Sequence, residues 1–270
     1  MNEELLNKYR EHLTARSLSA NYFNVMRIFL TYLEEKKIDY NNLTQEIITN
    51  FFNGKKYSIQ SKNMFIKAGR NFYMFLGVID SEFHKIRLMK VERKIPNYLT
   101  EKELKEAISY LITYHSKLYS IPKIEALIGF LFYSGIRKSE LLGLKRSDFN
   151  VEESMCKVYG KGRKERYIYY PSQIKEKIIT YFKSEDETSN AFNISLYDIT
   201  YLTKILKKYF PNKNITVHLF RHSGARNMID KGIPLGTVSR LLGHSSIQTT
   251  IIYTDPNQET IKRQYQEKMK

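Results

Sequence analysis

Gly243-His-Ser-Ser-Ile-Gln-Thr-Thr-Ile-Ile-Tyr-Thr-Asp255 lies near the C-terminal end of a 270-residue chain. It joins a polar turn, a short apolar run and a tyrosine. Were the stretch unbroken helix, His244 and Tyr253 would stand on opposite faces, roughly 13 Å apart along the axis. A turn between them removes that separation. Gly243 suits the position just past a helix end, and Ser245 or Ser246 suits the N-cap of the next helix. The stretch therefore reads as helix, turn, helix, with His244 and Tyr253 able to face one site. By itself it also fits a DNA-reading helix-turn-helix, or a buried tyrosine among the 21 present.

The chain carries 44 Lys+Arg against 28 Asp+Glu, a net charge of +16. Such an excess favours a polyanionic partner, either nucleic acid or an anionic membrane surface. No apolar run approaches the roughly 18–20 residues of a membrane span. Met1-Asn-Glu-Glu-Leu-Leu6 has neither the basic nor the apolar region of a secretory signal. Nucleic acid is the better reading, and the expected location is cytoplasmic. With 42% hydrophobic residues, a true core is expected. Cys156 is the only cysteine, which excludes an intramolecular disulfide and a cysteine-rich zinc site. A buried small hydrophobe is its expected role.

Apolar spacing predicts a mainly α chain with one small β-hairpin or sheet, in two domains. Residues 1 to about 95 read as helices, with Tyr22, Val25, Met26, Phe29, Leu30 and Leu33 as the strongest stripe. Ser19, Thr44 and Ser58 are the expected N-caps. Asn53-Gly54 is expected to end a helix in left-handed geometry, which both residues tolerate, and the glycines 69 and 77 are expected to end or weaken the next. Lys55, Lys56, Lys62, Lys67 and Arg70 fall close together and could contact phosphates, or form a solvated face. Charge density and Pro96 mark a linker at about 85–97.

In the second domain, 96–270, helices are expected over Glu101–His115, from Pro122 to a break at Gly135, and over Arg137–Leu144. The Pro122 helix is apolar nearly all round and is expected to be central. Met155–Tyr159 and Arg166–Tyr170 read as strands joined by the turn Gly160-Lys-Gly-Arg-Lys-Glu165. Further helices are expected over 173–182, 197–209, 218–231, 235–242 and 247–253, and over a charged tail at 258–268.

Two further clusters carry chemistry. In Ser134-Gly-Ile-Arg-Lys-Ser-Glu-Leu-Leu142, Arg137 follows a glycine break at a helix start and Glu140 lies three residues on. A surface ion pair would look the same. In His218-Leu-Phe-Arg-His222, His218 and Arg221 share one helical face. Neither cluster is decisive alone.

In this order, the Arg box, the Gly-Lys-Gly hairpin, His-x-x-Arg-His, Leu-Leu-Gly-His and Tyr-Thr resemble the tyrosine recombinase (phage integrase) family over about residues 97–260. The Xer-type site-specific recombinases are the most similar. The resemblance implies a catalytic domain at 96–270 and a helical DNA core-binding domain at 1–95. It implies that Arg137 and Arg221 hold the oxygens of the scissile phosphate and stabilise its transition state. Tyr253 would be the nucleophile, His218 would assist loss of its proton, and Lys161 would be the general acid. His244 would hydrogen-bond the phosphate and Glu140 would orient its neighbours. Lys164 shares the hairpin loop, but the glycines flanking Lys161 favour the latter. His222 reads as a supporting residue.

The implied chemistry forms a 3′-phosphotyrosine and needs neither metal nor cofactor. The implied partner is double-stranded DNA with a specific recombination site. The implied assembly is a homotetramer on two duplexes, monomeric or dimeric when free, with a tail at 257–270 docking on a neighbour. Phe220, Gly224-Ala225-Arg226 and Ser134-Gly-Ile136 depart from the commonest family pattern without removing a charged group. Two other classes fit less well. A non-catalytic helix-turn-helix protein with its reader at 234–253 gives no reason for the charged boxes, and a type IB topoisomerase-like enzyme fits the short length and tail poorly.

Overall fold

The computed structural model describes residues 3–18, 20–91, 97–115, 118–160, 165–187, 190–243 and 248–251, with short pieces at 265–266 and 269. The chain divides into two compact units, Met1–Arg93 and Lys94–Lys270.

The first unit is helical: α1 (Glu3–Ala15), α2 (Ala20–Glu35), α3 (Gln45–Asn53), α4 (Ile59–Phe75) and the short α5 (Glu82–Lys85). The predicted stripe points inward, with Met26, Phe29 and Leu33 buried among Tyr9, Ile48, Phe72 and Phe83. Thr44 and Ser58 cap α3 and α4 by accepting from the Ile47 and Ser61 amides. Ser19 lies outside the described residues.

Three local expectations change. Gly54 closes α3 in right-handed geometry, with φ −68°, rather than left-handed. Gly69 does not interrupt α4; it lets the Phe83 ring lie where a Cβ would meet Phe83 Cγ at 2.4 Å. Arg70 is not a free phosphate contact, because Nε donates to Phe83 O at 3.0 Å and Nη2 to Ile86 O at 2.7 Å. Lys55, Lys56 and Lys67 of that basic group are exposed. Residues 86–89, inside the stretch expected as linker, are held on α4: Asn63 donates to Met89 O and accepts from Met89 N.

The second unit contains α6 (Glu101–His115), α7 (Ile121–Ser134), α8 (Lys138–Gly143), β1 (Phe149–Asn150), β2 (Met155–Tyr159), β3 (Glu165–Tyr169), α9 (Ser172–Ser184), α10 (Leu196–Tyr209), α11 (Val217–Asp230), α12 (Leu235–Leu242) and α13 (Gln248–Ile251). As its all-round apolar sequence predicts, α7 is central and packs against α6, α9 and α11. Phe130 and Phe132 are fully buried.

The predicted hairpin belongs to a three-stranded antiparallel sheet in the order β1-β2-β3. β1 is too short to show a two-residue period. Cys156 pairs with Ile168 and Val158 with Arg166. Cys156 is fully buried, and burial pushes its thiol up and out of reach of ionisation. No helix among the described residues is long and apolar enough to cross a membrane. α13 covers part of the helix expected at 247–253. The expected tail lies outside the described residues, apart from Tyr265, Gln266 and Met269.

Candidate active site

The site is built on the C-terminal end of α12. The helix stops because Gly243 turns left-handed, with φ 65° and ψ 46°, a conformation that costs glycine little. A helix end leaves its last carbonyls without intrahelical donors, and the helix dipole makes that end negative. Here the carbonyls of Leu241, Leu242 and Gly243 each accept from a different arginine. Arg166 Nε reaches Leu241 O at 3.0 Å, Arg221 Nη2 reaches Leu242 O at 2.6 Å, and Arg137 Nη2 donates to Gly243 O. The three come from β3, from α11 and from the start of α8. One helix end thus assembles residues scattered along the chain.

Arg137 is the N-cap of α8, in extended geometry, rather than its first helical residue. Gly135, with φ 59°, ends α7 just before it. Glu140 grips Arg137 twice: Oε2 accepts from the Arg137 amide and Oε1 from Nη1, both at 2.9 Å. The spacing of three that put both on one face is that of a capping box. The Arg137 side chain remains 37% exposed, while that of Glu140 is 3% exposed.

Arg166 also binds Glu140, with Nη1 to Oε1 at 2.5 Å and Nη2 to Oε2 at 2.9 Å. Burial alone would raise the Glu140 pKa. The Arg166 hydrogen bonds, the Arg137 amide and the two positive charges outweigh it and hold the carboxyl down at about 2. Glu140 is therefore a carboxylate at any physiological pH.

Arg221 is 2% exposed. Its Nη1 donates to Gly135 O at 2.7 Å. With Leu242 O as the other acceptor, it ties the Arg137 box to α12. His218 lies in the first turn of α11, which Thr216 caps by accepting from the Leu219 amide at 3.0 Å. Partial burial and the charges of Arg221 and Arg137 hold His218 below the usual histidine range. The imidazole still reaches solvent. A neutral imidazole there can accept a proton. Its ring meets that of His222 edge to face, with centroids 4.4 Å apart.

Burial, then the neighbouring His218 and Arg221, push His222 down to about 4. An unfolded histidine titrates near 6.5, at about the model-peptide value. Between those values the unfolded chain takes up a proton that folded His222 refuses. Stability is then fully present above about pH 6.5 and falls as the pH drops through that window. The contribution of His222 is at most about 1.4 kcal/mol per pH unit. We expect the urea midpoint of this unit to fall on acidification from about pH 7 to pH 5, and His222→Gln to flatten the slope.

Arg137, Glu140, His218 and Arg221 are thus brought together. Lys161, His244 and Tyr253 lie outside the described residues. Lys161 falls in the link between β2 and β3, and His244 follows Gly243. Arg166 is the site member that motif reading passed over. Its signal was the two-residue period of β3, which places Arg166 on the face of buried Ile168, where a charge needs a partner. Among the described residues, no three His, Cys, Asp or Glu side chains gather as they would around a metal ion.

Residues 97–260 match the phage integrase family. Tyrosine recombinase XerA of Thermococcus onnurineus is 34% identical over 221 residues, 77% of this chain and 74% of that protein. The fold is shared with the Tn1549 transposon integrase in complex with transposon right end DNA, at TM-score 0.70 and 15% identity over 97% of this chain and 98% of that one. It is shared too with the XerH site-specific recombinase bound to palindromic difH substrate, at TM-score 0.69 and 17% identity over 93% and 80% of the two chains. With the arginine boxes gathered on one helix end and this likeness along the chain, the protein belongs to the phage integrase family and is a tyrosine site-specific recombinase of the Xer type.

Proposed function

We propose that the second unit is the catalytic domain and that Tyr253 is its nucleophile. The Tyr253 oxygen attacks the scissile phosphorus of double-stranded DNA, forming a 3′-phosphotyrosine as the bond to the 5′ oxygen breaks. His218 takes the phenolic proton and Lys161 protonates the departing 5′ oxygen. Arg137, Arg221 and His244 bind the phosphate oxygens where transition-state charge develops. A second strand's 5′-hydroxyl reverses the step, so the ester conserves the bond energy and ATP is not consumed.

The observation that carries this reading is the convergence of Arg137 and Arg221 on adjacent carbonyls at the end of α12. Guanidinium groups fixed before substrate arrives need little reorganisation during the reaction. The first unit would be the DNA core-binding domain, with exposed Lys55, Lys56 and Lys67 among its phosphate contacts. The working assembly is a homotetramer on two duplexes, with the 257–270 tail docking on a neighbouring subunit, located at the nucleoid. Its task is strand exchange at a specific site, in dimer resolution or in integration and excision of a mobile element.

The test uses a nicked duplex carrying the sequence that the chain selects from a randomised duplex library. The nick lets the cleaved end diffuse away and traps the adduct. Wild-type chain should leave a covalent protein–DNA species that survives SDS; none from active, site-bound protein would overturn the reading. Arg137→Ala should slow adduct formation by about 10³-fold, in the range for loss of a transition-state charge contact. Duplex affinity should stay within about threefold, since many phosphate contacts share the binding. Binding lost in step with cleavage would count against the clamp role.

A further inference from the structure

Arg166 commits its guanidinium to Glu140 and to the Leu241 carbonyl. Nε, Nη1 and Nη2 all have protein acceptors, and the side chain is 12% exposed. Arg137 is the opposite case, sharing the same carboxylate while reaching solvent. We propose that Arg166 is a positioning residue: by binding both oxygens of Glu140, it keeps the Arg137 guanidinium available to a phosphate. The inference rests on the reading of Arg137 as a phosphate ligand.

Arg137, Arg166 and Glu140 together carry one net positive charge. Without Arg166 the remaining pair is neutral. A nearly buried carboxylate demands pairing, and Arg137 is the other arginine on it. Losing Arg166 would draw Arg137 onto both oxygens and away from a phosphate. Arg166 makes the fork-to-fork bidentate pair that fits guanidinium to carboxylate, and the Leu241 carbonyl fixes the plane of that fork.

Gly243 belongs to the same device. A Cβ there would lie 2.9 Å from Arg166 Cδ and 3.0 Å from Nε. The glycine that turns the chain toward His244 also makes room for the arginine holding Glu140. The buried face of β3 is thereby joined to the helix that precedes His244.

A double-mutant cycle separates this role from simple packing. Adduct formation on the selected nicked duplex is followed at saturating full-length protein, with duplex affinity and thermal unfolding measured alongside. Arg166→Ala should cleave about 10²-fold more slowly with affinity within about threefold, a loss comparable to removing a preorganised donor. Arg166→Lys, which cannot form the fork, should recover only part of that loss. The decisive comparison is between Glu140→Gln and Glu140→Gln/Arg166→Ala. With no carboxylate charge to hold, the two should cleave within about threefold of each other, and the double variant should outpace Arg166→Ala.

Near-wild-type cleavage by Arg166→Ala overturns the proposal. So does a further tenfold loss on removing Arg166 from the Glu140→Gln background. If Arg166→Ala does not fold, the comparison within the Glu140→Gln background decides, because that background has no buried carboxylate left unpaired. Normal cleavage by Arg137→Ala would instead overturn the phosphate-ligand reading on which this one rests.

Discussion

Tyr253→Phe is expected to abolish the SDS-stable protein–DNA adduct, lowering its rate by at least about 10³-fold, because the attacking atom itself is removed. Affinity for the same duplex should stay within about threefold, since phosphate contacts by lysine and arginine dominate binding. The chain has 21 tyrosines, and their environments bear on the choice. Among the described tyrosines, burial pushes Tyr133 up to about 12, and Tyr170 and Tyr181 higher still. A phenol made harder to ionise is a poor nucleophile. An adduct that forms as readily with Tyr253→Phe would place the nucleophile elsewhere.

Gly224→Ala is expected to destabilise the second unit by about 3 kcal/mol or more, at or above the top of the usual range for core overpacking, or to prevent its folding. A Cβ at this position would lie 2.2 Å from the Phe132 carbonyl oxygen. That oxygen belongs to the backbone of α7, so no rotamer change relieves the clash; α11 would have to move off α7. His218 and Arg221 ride on α11 and would move with it. Gly143→Ala is the control: a Cβ there meets nothing within 4 Å, and stability should hold or rise by up to about 1 kcal/mol. Thermal or urea unfolding of the second unit measures both. A Gly224→Ala protein with wild-type stability would mean that the two helices do not cross so closely.

Much of the architecture could be read from residue order. The all-round apolar pattern of 121–134 marks a central helix because every face of it must be buried. The caps Thr44 and Ser58 were legible because capping acts within three residues. Gly243 announced a helix end for the same local reason. The errors have matching causes. Gly69 reads as a break only while Phe83 is out of view, and Arg70 reads as a phosphate contact only while the carbonyls of Phe83 and Ile86 are.

The candidate site divides along the same line. Arg137, Glu140, His218 and Arg221 stood out because each box is short and its spacing places charged groups on one helical face. Lys161, His244 and Tyr253 rest on residue order and on the family resemblance. Arg166 and Gly224 belong to the tertiary structure. A charge on the inner face of β3 acquires meaning only when Glu140 and the Leu241 carbonyl, from distant parts of the chain, arrive beside it. A glycine inside α11 acquires meaning only when the Phe132 carbonyl crosses it. Local periodicity and capping depend on neighbours a few residues away, so composition and spacing carry them. Which buried charge meets which carbonyl depends on how helices and sheet pack, and that packing joins residues that no local pattern connects.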